Sequence, residues 1–588
     1  MSFIYFFLAA LVFAPPLLSK PSHALSLTEP QYATTFTHFT YTNPDAPKGG
    51  TLRQASTIRF NSFNPYLFQG ISAPGLGNSI ETLAIQSLDE TDTVYGLLAE
   101  SFDYKPKMHT LKINLRKGIR FHNQQPLLAE DVVRSFYDLV EQGSPIYARY
   151  FRDIVAIEAL SKSSLAIYFD PNSHNRERHL LVGSIPVFTY RGPFPKSNHQ
   201  PLIGTGPYVI KKFKLGQNIY YERDKNYWGK DLAVNRGRHN FDTLAYHVYQ
   251  DDDVALTAFK SHHYDFHHES VAKLWKTAYR GPLFTQKKIL KKSIKDYKPK
   301  NMQAFAMNIR NGLFKDRRVR LALNYAFYFD WINQNIFYNS YTRTNSYFSD
   351  TRFAGNHIPT EAERTALAPY QSSLPDGIVS QAFKLPNATS HQDHRQDLQV
   401  AAQLLSDAGW DLVRGKLVHR VTRKPFVFTM LLHSASMTRI CLPFKKSLEK
   451  LGITMHIKLV SSSQFIRSVR RFDFDMITYI WPQDGNPGTE LRLFWHSSEA
   501  NKIGSMNIIG LKDPVVDALI DQTIKASSDE QLTVSARNLD RVLLWGNYVI
   551  PHWHTDTFRI AHWHTIRHPE IHPKYDIDLA NWWFNAPS

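Results

Sequence analysis

Positions 110 to 115 (Thr-Leu-Lys-Ile-Asn-Leu) alternate polar and apolar side chains, the period of two that predicts a half-buried strand. The pattern changes at Ala129, where Val132, Phe136, Leu139 and Val140 recur at helical spacing behind Glu130 and Asp131, acids that favour a helix N-terminus. Ser164–Phe169 reads as another strand. Tyr208–Lys214 and Asn218–Arg223 read as a hairpin fed by the turn Gly204-Thr-Gly-Pro207, and Asp251–Lys260 as a short helix opened by Asp. Ser79–Leu88 spaces Ile80, Leu83, Ala84 and Leu88 like a helix start, and Asp316–Asn335 reads as one long amphipathic helix. Farther on, strands are predicted over Phe305–Arg310, Phe426–Leu432, Thr454–Val460 and Phe474–Ile480. Helices are predicted over Asp397–Ala408, Leu442–Leu451, Pro514–Ala526 and Ala536–Leu544. Strands and helices alternate without a fixed repeat, which predicts an α/β protein of at least two lobes. The stretch from about Thr351 to His394 is rich in Pro, Ser, Ala and His and lacks periodicity. It is expected to wrap the second lobe as an ordered insertion.

The N-terminus differs from all of this. Phe3–Leu18 is almost wholly apolar, is broken by Pro15 and Pro16, and is followed by Ser22-His-Ala24 with small residues at −3 and −1. That is the pattern of a cleaved export signal over 1–24. No Cys follows the run, which excludes a lipid-anchored lipoprotein, and no other apolar stretch is long enough to span a bilayer. The 588 residues contain a single cysteine, Cys441, so a disulfide scaffold and a Cys-ligated zinc module are excluded. Cys441 stands just ahead of a predicted helix and reads as a small buried apolar residue. Lys and Arg number 69 against 52 acids, a formal charge of +17. Lys287, Lys288, Lys291, Lys292, Lys295, Lys298 and Lys300 crowd one segment, and on a helix the first five would share a broad face. With no groove-reading motif or stacking platform, nucleic acid is not the expected partner, and the lysines read as a solvated face. Any membrane contact is expected to be peripheral.

Four stretches stand in a telling order: His109–Phe136, ending Ala129-Glu-Asp-Val-Val-Arg-Ser-Phe; Ile203-Gly-Thr-Gly-Pro-Tyr208; Tyr221-Glu-Arg-Asp-Lys-Asn-Tyr-Trp-Gly229; and Phe314–Phe327. Together they resemble the landmarks of the family 5 extracellular solute-binding proteins that serve ATP-binding-cassette (ABC) importers. His38–Arg53, Tyr341–Phe348, Phe472–Ile477, Trp481–Gly488 and Leu539–Pro551 look like the YejA-like branch, which handles microcin C and oligopeptides. The resemblance implies a two-lobed periplasmic-binding-protein fold of type II with an extra subdomain. Lobe I would cover 25–300, with the subdomain inserted at about 76–195, lobe II 301–530, and 531–588 would return to lobe I. It implies a periplasmic, monomeric receptor whose partners are a peptide ligand and an inner-membrane ABC permease with its ATPase subunits.

The same resemblance gives Asp484, in the loop Trp481-Pro-Gln-Asp-Gly-Asn-Pro487, the role of pairing with a peptide's amino terminus. Read from the residues alone, Asp484 could equally cap the Asp-Gly turn. Trp481 is a candidate wall of that pocket or a core residue. Asn64 and Tyr66 lie in a loop that faces the cleft in the family, and Asn308 and Arg310 end a strand entering the second lobe. The histidines form the rival signal. His262, His263, His267 and His268 with Glu269 are dense, and His552/His554 and His562/His564 are i,i+2 pairs that share one face on a strand, as metal ligands do. A His-cluster metal carrier or metallohydrolase is therefore the alternative, and a receptor feeding signalling from the same cleft is another. No His-Glu-x-x-His, nucleophile elbow, phosphate loop or dinucleotide fingerprint occurs. The expectation is a non-enzymatic binder with no catalytic residue, metal or cofactor.

Overall fold

The computed structural model describes residues 21–173, 175–190, 194, 200–483 and 485–585. The apolar run at 3–18 on which the export signal rests lies outside them.

Two sheets organise the lobes. In the first, Thr51–Ser56 runs parallel to Thr243–Val248, which continues antiparallel through Asn218–Arg223 to Tyr208–Lys214. In the second, Thr454–Leu459, Val427–Leu432 and Met476–Trp481 lie parallel, and Met302–Met307 and Val549–Pro551 extend the sheet antiparallel. The strand period of two sorts the second sheet's side chains between two cores. Ala304, Ala306, Leu431 and Ile477 face the helices Pro514–Lys525 and Asp529–Gly546, while Phe305, Met307, Phe428 and Met430 face Arg317–Tyr325, His391–Asp407 and Ala435–Lys450. Local signals start these helices where the core needs them. Asp513 accepts from the Val515 N–H at 2.8 Å with Pro514 behind it, and Ser528 accepts from Gln531 N–H at 3.2 Å.

A four-stranded antiparallel sheet (Ala99–Lys105, Thr110–Leu115, Ser164–Phe169, Ile154–Ser161) carries the helix Ala129–Gln142, and its core draws on Leu83 to Val187 together with Leu25. A three-stranded sheet of Phe266–His268, Thr557–Trp563 and Ile289–Lys295 ties the end of the chain to the first lobe. The helix Asp529–Gly546 belongs to the second lobe, because its stripe of Leu532, Ala536, Leu539 and Leu543 needs that lobe's core. The last crossing therefore comes after Pro551 rather than at 530.

Several elements depart from the periodicity. Ser79–Leu88 is not a helix: Glu81–Thr82 and Ala84–Gln86 are short strands paired with Pro186–Val187 and Thr93–Gly96. Gly204 crosses so near that a Cβ on it would stand 1.9 Å from the Ser79 carbonyl oxygen. Buried Glu81 accepts from Thr205 at 2.8 Å, from Trp228 at 3.1 Å and from Tyr227, so tertiary partners override the local spacing. Asp316–Asn335 divides into Arg317–Tyr325 and Phe329–Asn335, which lets Phe327 and Phe329 both enter the core; on one helix, residues two apart point to opposite sides. The helix expected at Leu442 begins at Ala435 and holds Pro443 and Cys441 inside it. Packing of Ile440, Phe444 and Leu448 offsets the backbone bond that proline cannot donate. Burial pushes the Cys441 thiol up to about 12, so it is inert.

The lysine-rich segment is largely a strand, Ile289–Lys295, with the turn that follows it; Lys287 and Lys288 stand exposed ahead of it, and the other five lysines have partners. Lys291 donates to the Trp275 carbonyl at 2.8 Å, Lys292 to His568 at 2.6 Å and Lys298 to Asp576 at 2.7 Å; Lys295 pairs with Asp556 and Lys300 with Asp296. Alternation splits them between the two faces of the strand, so no single solvated stripe forms. The stretch 351–394 carries the helix Glu361–Leu367 and buries Phe353, Leu367 and Ile378 in the second lobe's core.

Candidate functional site

Two lengths of chain join the lobes side by side. One leads from Ile289–Lys295 to Met302–Met307, the other from Val549–Pro551 to Thr557–Trp563. Asp296 N–H donates to the Asp556 carbonyl at 2.8 Å, the Lys295 ammonium pairs with the Asp556 carboxylate, and buried Lys300 donates to the Asp296 carbonyl at 2.9 Å. These ties lie within the crossings, so the lobes can turn about them with both main sheets intact.

Parallel strands place their binding loops at their carboxyl ends. Thr51–Ser56 ends at Thr57 and Ile58, and Thr243–Val248 leads to Gln250–Asp253. From the other lobe, Val427–Leu432 ends at His433–Ser436, and Thr454–Leu459 leads to Ser462–Ile466. These loops line a cavity of about 750 Å³ that spans both lobes, a size suited to enclosing a small ligand. The helices Asp252–Lys260, Ala435–Lys450 and Ser462–Arg471 all start at its rim.

Charge is sorted across the cavity. The first lobe lines it with Asp251, Asp252, Asp253 and Lys273, and the second with His433 and Arg439. Asp251 caps its helix, accepting from Val254 N–H at 2.9 Å. Partial desolvation, and then the charge of Glu269, hold Asp252 above the usual carboxylate range; partial desolvation lowers His433.

A second contact joins the lobes at Phe68. Arg470 donates to the Phe68 carbonyl, and the ring rests against Gly504, where φ is 76° and a Cβ would stand 2.5 Å from it. Arg149 pairs with Glu499 at 3.2 Å beside it.

The residues expected from sequence fall around these surfaces. Asp484 lies outside the described residues. Trp481 is fully buried among Tyr347, Tyr479 and Leu491, because its strand parity turns it into the core; its indole N–H has no hydrogen-bond partner among the described residues. Asn64 Oδ1 accepts from Tyr66 N–H at 3.0 Å, closing a turn about Pro65, and the Tyr66 ring stacks on Phe188 at 5.3 Å. That turn presents Phe68. Asn308 is buried and donates to the carbonyls of Phe472 and Phe474. Arg310 donates to the Asn507 carbonyl at 2.8 Å, to that of Ile508 at 2.7 Å and to that of Ala500 at 3.0 Å, holding the loop that contains Gly504. Asn64, Tyr66 and Arg310 thus frame the Phe68 contact, and Asn308 braces the strand end beside Arg310; none of the four lines the cavity.

The histidines do not gather into a ligand set. His262 stacks on Trp563 at 3.8 Å and meets Asp265 at 3.2 Å, while His552 lies buried between Phe305 and Trp553. Among the described residues no group of three or more His, Cys, Asp or Glu could hold a metal ion. Asp251–Asp253, His433 and Arg439 were not singled out from the sequence. Their signal was positional, since each follows the carboxyl end of a strand that proves parallel.

The model of the bacterial extracellular solute-binding proteins, family 5 (middle region), matches residues 93–502. The chain is 36% identical over 573 residues to the uncharacterized protein YejA of Escherichia coli (strain K12), covering 96% of this chain and 94% of that one. It is 34% identical over 564 residues to the probable peptide-binding protein YejA of Agrobacterium fabrum (strain C58), covering 94% and 92%. Its fold matches that of the oligopeptide-binding protein AppA of Bacillus subtilis, solved in complex with a nonapeptide, with a TM-score of 0.73 at 20% identity over 92% of this chain and 100% of that one.

Proposed function

The chain belongs to the family 5 bacterial extracellular solute-binding proteins, and from that premise we propose that it captures peptides between its lobes and delivers them to an inner-membrane ABC permease with its ATPase subunits. One observation carries the reading: the interlobe cavity sets three aspartates on one lobe against Arg439 on the other. A peptide offers an ammonium at one end and a carboxylate at the other, and charge-assisted pairs in a closing cleft suit both. The description of the Agrobacterium relative and the nonapeptide in AppA support the same ligand class.

In this reading Asp484 takes the peptide's amino group from the loop after Met476–Trp481, Trp481 forms the floor beneath that loop, and Asn64, Tyr66, Asn308 and Arg310 fix the surfaces that meet on closure. The protein acts as an exported monomer released from residues 1–24, with no catalytic step. Among the described residues no helix is long and apolar enough to cross a membrane.

Thermal unfolding with mixed short peptides tests the proposal. A peptide at one hundred times its Kd stabilises the folded state by about 2.7 kcal/mol, a readily measured rise in Tm. Protein that carries no peptide by mass spectrometry and shows no shift with a broad library would overturn it.

A further inference from the structure

A second cleft lies where the C-terminal segment turns back over the sheet of Phe266–His268, Thr557–Trp563 and Ile289–Lys295. It encloses about 850 Å³ and shares no lining residue with the interlobe cavity. Its wall brings together Lys292, His562, Arg567, His568 and His572, with Trp583 alongside.

The hydrogen bonds fix what each group can offer. His568 Nδ1–H donates to the Pro569 carbonyl at 2.6 Å, so its Nε2 accepts from the Lys292 ammonium at 2.6 Å. Both ring nitrogens are therefore engaged, and this imidazole is a prop for Lys292 rather than a metal ligand. An ammonium has three N–H donors, so two remain on Lys292. His572 lies against His568 with ring centroids 4.6 Å apart and makes no hydrogen bond among the described residues. His562 is 1% exposed; its Nδ1–H donates to the Trp563 carbonyl at 3.1 Å, so its Nε2 carries a lone pair, which has no partner among the described residues. That lone pair becomes an N–H donor only on taking up a proton, and the ligand that suits such a donor together with the free donors of Lys292 and with Arg567 is negative.

We propose that this cleft binds a small soluble ligand through an oxyanion group, phosphate or carboxylate, held by Lys292 and Arg567 and by His562 and His572 in their protonated form. The titratable groups facing the site are Lys292 from one strand, His562 and His564 from its neighbour, and Arg567, His568, Glu570 and His572 from the returning segment. Residues 40–44 add only the uncharged Thr40, Thr42 and Asn43. Glu570 is exposed and is the sole acid on the wall. Burial holds His562 at about 4 against the Trp563 carbonyl, which raises it, and burial and then the neighbouring groups on His568 and Lys292 hold His572 at about 4; burial also lowers Lys292. An anion opposes the positive charge around these rings, so its binding draws protons onto the imidazoles and tightens as pH falls.

Calorimetric titration of the full chain with sulfate, whose charge is constant over the range, tests this at pH 5.5 and 7.5 in buffers of different ionisation heat. The expected result is about tenfold tighter binding at pH 5.5 with net proton uptake. Lys292→Gln and Arg567→Gln should each weaken sulfate several-fold; Arg567 is exposed, so its replacement leaves Tm unchanged. Inorganic phosphate and citrate, compared at pH 5.5, tell which oxyanion is preferred, and tighter binding of either supports the site. No heat with any of the three anions, binding that is equal at both pH values, or binding that both variants leave intact overturns the proposal.

Discussion

The Arg470 guanidinium of the second lobe donates to the Phe68 carbonyl of the first at 2.5 Å and lies 4.9 Å from the centroid of the Phe68 ring. One side chain thus supplies a charge-assisted hydrogen bond and a cation–π contact across the lobes. Arg470→Ala should cost the touching arrangement about 1.5–3 kcal/mol, a shift of one to two orders of magnitude toward open molecules. Small-angle scattering of the unliganded variant is expected to give a larger radius of gyration. An unchanged radius would show that other contacts set the closed state.

The charged groups proposed for the cleft predict which residues read each end of a peptide. Arg439→Glu should weaken peptides with a free carboxylate tenfold or more, about the worth of one charged hydrogen bond, while C-terminally amidated peptides lose little. Asp252→Asn and Asp484→Ala should show the mirror pattern, hurting free-amine peptides far more than N-acetylated ones. Isothermal titration of the four peptide forms separates the cases. Equal losses for blocked and free ends would remove the end-reading role from the residue concerned.

Glu81 makes stability depend on pH. Burial raises its carboxyl to about 7, against the opposing hydrogen bonds from Tyr227, Thr205 and Trp228. The folded state therefore binds a proton that the unfolded chain releases at its ordinary value, so the contribution of this group is full at low pH. It declines as pH rises from about 4.5 through about 7, by roughly 3 kcal/mol in all. Glu81→Gln keeps an acceptor and removes the titration, so Tm measured from pH 5 to 8 should fall less steeply in the variant than in the parent.

Glu363 and Arg541 form a fully buried ion pair at 2.9 Å that pins the helix Glu361–Leu367 to Asp529–Gly546, with Asn538 donating to the Glu363 carbonyl at 3.0 Å. Arg541→Ala leaves the buried carboxylate to Arg537 and His357, each at 3.3 Å, so the cost should stay below the about 3–5 kcal/mol of a wholly uncompensated charge. Hydrogen exchange should rise first around residues 353–373, the segment this pair secures.

Much of this architecture was legible in the chain. Alternation found Thr110–Leu115 and Ser164–Phe169, and Asp251 marked its helix, because burial on one face writes itself into local order. Reading failed where distant partners decided. Glu81 is a strand residue because Thr205, Tyr227 and Trp228 meet it, and none is near it in sequence. Lys292, Lys295 and Lys298 looked like free surface because their partners, His568, Asp556 and Asp576, lie far down the chain. The cavity was hidden for a related reason: its residues are marked by which strands run parallel, and periodicity does not report strand direction.

The paired crossings at 295–302 and 551–557 reduce the relation between the lobes to little more than one angle. A single tether would let the halves swivel and slide, and each ligand could then freeze a different pose. Two tethers fastened to one another by Asp296, Asp556 and Lys295 would act as a pin, on which ligands of unlike sequence would bring the outer surfaces to one common separation. A partner that grips both lobes can therefore tell full from empty by that spacing alone, without touching the cargo.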